Sequence, residues 1–167
     1  MKALILIAIG YWLCIRNRDK QNVLLGKISV QELGTDMARI RQYWNLITEE
    51  ASKRNLDPCL IAAIIHKESQ GRHNARNRIY HGLMQISEQT AQRYGLHGSI
   101  QNLYNPRENI RVGVNYLTKL RDLYGEDWKV ISAYNAGSPT LKNQGYVRDV
   151  HQLKQIYCQF SLSTPSI

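Results

Sequence analysis

Glu68 is the conspicuous charge of this sequence. It lies near the end of Cys59–Ser69, CLIAAIIHKES, a run that is apolar almost all round and therefore reads as a buried helix. Burial raises a carboxyl pKa, and so does the negative end of a helix dipole. A carboxyl held protonated near neutral pH is what a general acid needs to protonate a glycosidic oxygen. Taken alone, the position fits a solvated last-turn glutamate, paired with Lys67 or Arg72, better than it fits a catalyst. The histidines add no second chemistry. His66 lies two residues before Glu68 and does not share its helix face. His73, His81, His97 and His151 lack zinc-site spacing, so neither a metal nor a cofactor is expected. Of the cysteines, Cys14 falls in an apolar run, which leaves Cys59 and Cys158 as the candidates for an intradomain disulfide. Two buried thiols are the alternative, and the choice depends on an oxidising compartment.

Four short segments change the weight given to Glu68. They are Glu68-Ser69-Gln70-Gly71, Gly82-Leu83-Met84-Gln85-Ile86, Ala133-Tyr134-Asn135-Ala136-Gly137 and Tyr146-Val147-Arg148-Asp149-Val150. Singly they read as a helix end, a tight turn, a glycine stop and core filler. Together and in this order they resemble the soluble lytic transglycosylase family, whose fold is lysozyme-like. The resemblance runs from about Ile40 to Tyr157. It takes in Asn105-Pro106 and the Asn109-Ile110-Arg111-Val112-Gly113 stretch, which is similar to the family's Asn-Ile-x-x-Gly helix. Two departures concern the substrate groove and hence glycan preference: His73-Asn74 stands where many members have Asn-Pro, and the loop from Arg72 to His81 is short.

The resemblance implies a peptidoglycan lytic transglycosylase. Glu68 would protonate the oxygen bridging N-acetylmuramic acid and N-acetylglucosamine. As a carboxylate it would then take the proton of the muramic acid 6-hydroxyl, which attacks C1 and closes a 1,6-anhydro ring. One carboxyl suffices because the sugar brings its own nucleophile, and the substrate's N-acetyl group can steady the cationic intermediate. Ser69 would support the glutamate, Met84 and Gln85 would line the sugar floor, and Tyr134, Asn135 and Tyr146 would surround the acid. A hydrolase of the lysozyme type would need a second carboxylate, for which Asp57, Glu88 and Glu108 are the candidates. A non-catalytic wall-binding or assembly protein is the rival of another class.

The elements that must position these residues read as helices, so the class is mainly α, with room for a small hairpin near Gly82. Ile40, Tyr43, Trp44 and Ile47 mark one apolar face. Asp57-Pro58 and Asn105-Pro106 are cap-plus-proline starts. Ser87 can cap a short helix stopping at Gly95, and Asp127 one that stops at Gly137. Ile110, Val114, Leu117 and Leu120 line a helix ending at Gly125. Tyr146, Val150, Leu153 and Tyr157 stripe the last one.

These readings divide the chain into an apolar signal peptide or signal anchor (residues 1–16), a linker (17–34), the catalytic domain (35–160) and a tail (161–167). The apolar run over residues 3–15 would span roughly 20 Å as a helix, short of a ~30 Å hydrocarbon core. Lys2 precedes it, while Arg16, Arg18 and Lys20 follow, a balance that by itself favours a cytoplasmic C-terminal domain. The wall chemistry favours export, to an inner-membrane site facing the periplasm or cell wall. A hydrophobic helix docked on a soluble protein is the bland alternative. With 22 Lys plus Arg against 13 Asp plus Glu, the +9 chain favours polyanionic partners. The basic residues are dispersed and carry no nucleic-acid signature, but charge alone does not choose between anionic lipid and the acidic wall; the resemblance implies glycan strands as the partner, with the membrane reached through the N-terminal segment. A secretion or conjugation apparatus, or a phage particle, are the settings that fit.

Overall fold

The computed structural model describes residues Val30 to Leu162. The chain separates into two units, Met1–Leu33 and Gly34–Ile167, and the candidate site lies wholly in the second. The apolar run, most of the expected linker and the last five residues fall outside the described part. Among the described residues, no helix is long and apolar enough to cross a membrane.

Among the described residues, seven α-helices carry the fold: α1 Val30–Arg41, α2 Trp44–Lys53, α3 Pro58–Ser69, α4 Glu88–Arg93, α5 Pro106–Tyr124, α6 Asp127–Ala136 and α7 Gln144–Leu162. Two 3-10 turns, Ile100–Tyr104 and Leu141–Asn143, precede α5 and α7. The strands β1 Arg76–Asn77, β2 Tyr80–His81 and β3 Ile86–Ser87 form an antiparallel sheet in the order β1-β2-β3, paired Arg76↔His81 and Tyr80↔Ser87. The mainly α, lysozyme-like expectation is therefore met, and the hairpin near Gly82 gains a third strand.

α3 is the axis of the domain. Asp57 accepts from Cys59 N at 2.8 Å, Pro58 occupies the first turn, and every residue from Cys59 to His66 is buried. α7 runs antiparallel along it. A disulfide between Cys59 and Cys158 ties the start of α3 to the far half of α7. With its cysteines 99 positions apart in sequence, such a link is worth on the order of 4–5 kcal/mol in the chain-entropy account. It also calls for an oxidising compartment.

Three local readings are corrected. The stripe Ile40, Tyr43, Trp44, Ile47 belongs to two helices, because the chain turns at Gln42–Tyr43, where Tyr43 N donates to Ile40 O at 2.9 Å. Ile40, Tyr43 and Ile47 still face the core, so the apolar pattern survives the break. The first helix begins at Val30, inside the span read as linker. Glu126, not Asp127, occupies the cap position of α6, without a side-chain cap bond; Asp127 sits in the first turn and meets Lys154 at 3.2 Å.

The Asn-Ile-x-x-Gly stretch of α5 has a clear physical role. Asn109 is fully buried; its Oδ1 accepts from Met84 N at 2.8 Å, and its Nδ2 donates to His81 O at 2.9 Å and to Leu103 O at 2.8 Å. Gly82, at φ +74°, passes so close that a Cβ would lie 2.2 Å from both Asn109 Nδ2 and Leu103 O. One turn on, a Cβ at Gly113 would lie 2.3 Å from Met84 Sδ. A single helix face thus fixes the Gly82–Gln85 loop.

Candidate active site

Glu68 occupies the last turn of α3 and is half-buried. The chain then leaves the helix through two left-handed residues, Gln70 at φ 55° and Gly71 at φ 76°. From the first turn of α7, the Tyr146 hydroxyl donates to Glu68 Oε1 at 2.5 Å. Tyr134, on buried α6, donates to Met84 O at 2.8 Å. Burial pushes the Glu68 pKa up and outweighs the hydrogen bond from Tyr146 and the charge of Lys67, which both pull it down. The same burial, reinforced by the Glu68 charge, pushes both phenols well above their ordinary value, so they remain O–H donors. Lys67, beside the acid, is held by Asp149 of α7 at 2.6 Å.

The other expected site residues fall into distinct places. Ser69 is buried and donates to Ile65 O at 3.1 Å, so it braces the helix end that carries Glu68. Gln85, at φ 48°, donates to Gly82 O at 2.8 Å and Ala75 O at 3.2 Å, tying the sheet to the loop beneath it. Met84 has no exposed surface, because its side chain fills the space above Gly113. Asn135 is exposed at the end of α6 and accepts from Asn143 Nδ2 at 3.1 Å; Asn143 is itself bonded to Ser132. His66 points away from the acid, to Tyr157 Oη at 2.9 Å and Asp36 at 3.6 Å.

Sequence reasoning missed two contributors. Tyr116 packs between Tyr94 and Tyr134, with the rings tilted and their centroids 5.0 and 5.3 Å away, beside the phenol that reaches Met84. Its position on α5, four residues before Leu120, was its one signal. Arg39 of α1 donates to Gln70 O at 3.0 Å, a contact between residues 31 apart that no local pattern announces.

None of the three candidate second acids joins Glu68. Asp57 caps the opposite end of α3, about 16 Å along the helix, and pairs with Lys154 at 3.1 Å. Glu108 is bonded to Arg111 and to His97 N. Glu88 is exposed in a cavity of about 570 Å³ that also holds Arg76 and Arg78. Among the described residues, the groups that perturb Glu68 are Tyr146 and Lys67, neither of them an acid. Asp57, Cys59 and Cys158 converge closely enough to suggest metal ligands, but both sulfurs are consumed in the disulfide.

The acid at the end of a buried helix and the tyrosine that meets it have counterparts in known proteins. The Transglycosylase SLT domain model matches residues 45–155, and the chain belongs to that family. It is 32% identical over 103 residues to a transglycosylase of Enterobacteria phage PRD1, covering 61% of this chain and 37% of that one. It is 38% identical over 118 residues to a membrane-bound lytic murein transglycosylase C of Histophilus somni, covering 60% and 32%. Among solved structures it is similar to an inactive glutamate-to-glutamine mutant of the lytic transglycosylase Slt from Pseudomonas aeruginosa. There the TM-score is 0.67 and the identity 25%, over 72% of this chain and 24% of that one. The chain spans about a third of the length of these curated relatives.

Proposed function

We propose that this chain is a peptidoglycan lytic transglycosylase with Glu68 as its only acid and base. The observation that carries the reading is the seat of Glu68: a half-buried carboxyl at the end of a buried helix, raised in pKa by burial and oriented by the Tyr146 hydroxyl at 2.5 Å. Protonated, it delivers a proton to the glycosidic oxygen between N-acetylmuramic acid and N-acetylglucosamine. The resulting carboxylate accepts the proton of the muramic acid 6-hydroxyl as that oxygen bonds to C1. The glycosidic bond breaks, the 1,6-anhydro bond forms, and Glu68 ends protonated as it began. Tyr146 orients the carboxyl and stabilises its charged state between the two steps. Tyr134 holds the Met84 carbonyl and so the loop that bears Gln85. Gln85 and Asn135 are the polar groups offered to the sugar, and Ser69 braces the acid from its own helix.

The names of the relatives support this reading, as does the inactive glutamate-to-glutamine form among the similar structures. The apolar residues 3–15 would anchor the enzyme in the inner membrane, facing the periplasm or wall. The phage relative supports the alternative of a virion-associated enzyme. A secretion or conjugation apparatus is a further partner for an enzyme that opens the wall locally. Mass spectrometry of digested glycan strands tests the proposal: anhydromuramic ends are expected, reducing muramic ends would make the protein a hydrolase, and intact strands would make it a binding protein.

A further inference from the structure

Tyr146 holds Glu68 from the front, and α1 holds the helix end behind it. One Arg39 nitrogen, Nη1, donates to Asp36 Oδ1 at 2.5 Å and to Gln70 O at 3.0 Å. Gln70 is a non-glycine residue in the left-handed region, two positions after the acid. Such a conformation is unfavourable for a residue with a side chain and persists where surroundings over-determine it. Gly71, also left-handed, packs so tightly on α1 that a Cβ would lie 2.8 Å from Ile40 Cγ1 and 2.9 Å from Arg39 Cβ. On the back face of the same turn, His66 meets the second Asp36 oxygen at 3.6 Å and Tyr157 at 2.9 Å. Asp36 and His66 are both almost fully buried. The last turn of α3 is therefore gripped from the side opposite its carboxyl.

We infer that Asp36 and Arg39 are positioning residues for the Glu68 carboxyl: by pinning the Gln70 carbonyl they keep the last turn of α3 closed and the acid in its half-buried seat against Tyr146. Their action is mechanical. The titratable and charged groups that act on Glu68 are Tyr146 from α7 and Lys67 from its own helix, Lys67 being bonded in turn to Asp149 of α7; Tyr134 from α6 feels the Glu68 charge. Arg39 is not among the charges that perturb it. Without the Arg39 bond, Gln70 can relax out of the left-handed region, the turn frays, and the half-buried carboxyl becomes more exposed to water. A solvated carboxyl loses the burial that holds its pKa up.

The test uses the full chain, with the Glu68 carboxyl titrated by carbon-13 NMR and turnover measured on purified murein. Arg39→Gln is expected to move the Glu68 pKa down towards its ordinary value. It should lower kcat about tenfold to a hundredfold, as misplacement of a catalytic group does. KM should stay within about twofold, since no substrate contact is removed. Arg39→Lys, which can still donate to Gln70 O, should restore part of both. A lower melting temperature with unchanged Glu68 titration and unchanged kcat would overturn the inference and leave Arg39 an ordinary structural residue. Should Arg39→Gln fail to fold, Asp36→Asn is the variant to read. It leaves Arg39 without its ion-pair partner, so a smaller downward shift is expected, and no shift overturns the inference. The kinetic arm rests on the proposed function, whereas the titration does not. A high Glu68 pKa that falls in the variant, in a protein that cleaves no murein, would sustain the positioning role and sink the enzymatic one.

Discussion

The Tyr146 hydroxyl and the Glu68 carboxyl meet at 2.5 Å where two antiparallel helices come together, and the disulfide closes the same helix pair at its other end. The bond does two things to the acid. It fixes the direction of the proton-carrying oxygen, and it stabilises the ionised form against a burial that disfavours it.

Tyr146→Phe separates these effects from simple packing. The ring that α7 needs is kept and one hydrogen bond is lost. A hydrogen bond to a charged group is worth roughly 1.5–3 kcal/mol, so turnover should fall on the order of tenfold or more while the melting temperature changes little. Because that bond lowers the Glu68 pKa, its loss raises it, and the alkaline limb of the pH–activity profile should move to higher pH. Unchanged turnover and an unmoved limb would make Tyr146 core filler.

Glu68→Gln should reduce cleavage ~100- to 10,000-fold, the usual worth of a general acid. It should also stabilise the fold at neutral pH. The Glu68 pKa is raised on folding, so the stability linked to it is present below the unfolded value and is lost as pH rises through the folded one. An uncharged side chain escapes that loss. The gain in urea midpoint should be largest at pH 7–8 and vanish below about pH 4, where both proteins are neutral at this position. A gain independent of pH would mean that burial of the charge is not its cause.

How much of this was legible follows from how local each determinant is. Asp57-Pro58, Asn105-Pro106 and Ser87 act within three residues, and each starts a helix where the sequence suggests. The apolar faces of α3, α5 and α7 depend on one turn of periodicity and were equally readable. The break at Gln42–Tyr43 left the apolar stripe intact and so gave no signal. Strands of two residues are too short to show alternation. The burial of Met84 depends on Gly113, the end of α3 on Arg39, and His66 on Asp36 and Tyr157. These contacts join residues far apart in the chain, and no window of sequence contains both partners.

His66 gives the fold a predictable acid sensitivity. Burial lowers its pKa, which outweighs the opposing charge of Asp36; Lys67 also pulls it down. A histidine depressed on folding contributes stability that is intact above the unfolded value of about 6.5 and is lost as pH falls towards the folded one. Wild type should therefore lose more stability between pH 7.5 and pH 5 than His66→Gln does, as read from urea midpoints. Equal losses in the two proteins would show that His66 does not titrate differently in the folded state.

The Cys59–Cys158 bond should matter for stability and not for chemistry. Cys59→Ser with Cys158→Ser should lower stability by up to about 4–5 kcal/mol, the chain-entropy worth of a loop this long. Cleavage at low temperature, where the variant is folded, should be retained. An unchanged melting temperature would mean that the bond contributes nothing to the folded state in solution.

The central claim is that the sugar's own 6-hydroxyl, and not water, attacks C1. The groups acting on Glu68 among the described residues are Tyr146 and Lys67, neither of them a base for water, while a tethered nucleophile gains several kcal/mol in favourable cases. Digestion of purified murein in heavy-oxygen water, followed by mass spectrometry of the new muramic acid ends, measures this directly. Anhydro ends free of label are the predicted result. One labelled oxygen per cut, in most of the cleaved ends, would contradict the account and make the protein a hydrolase.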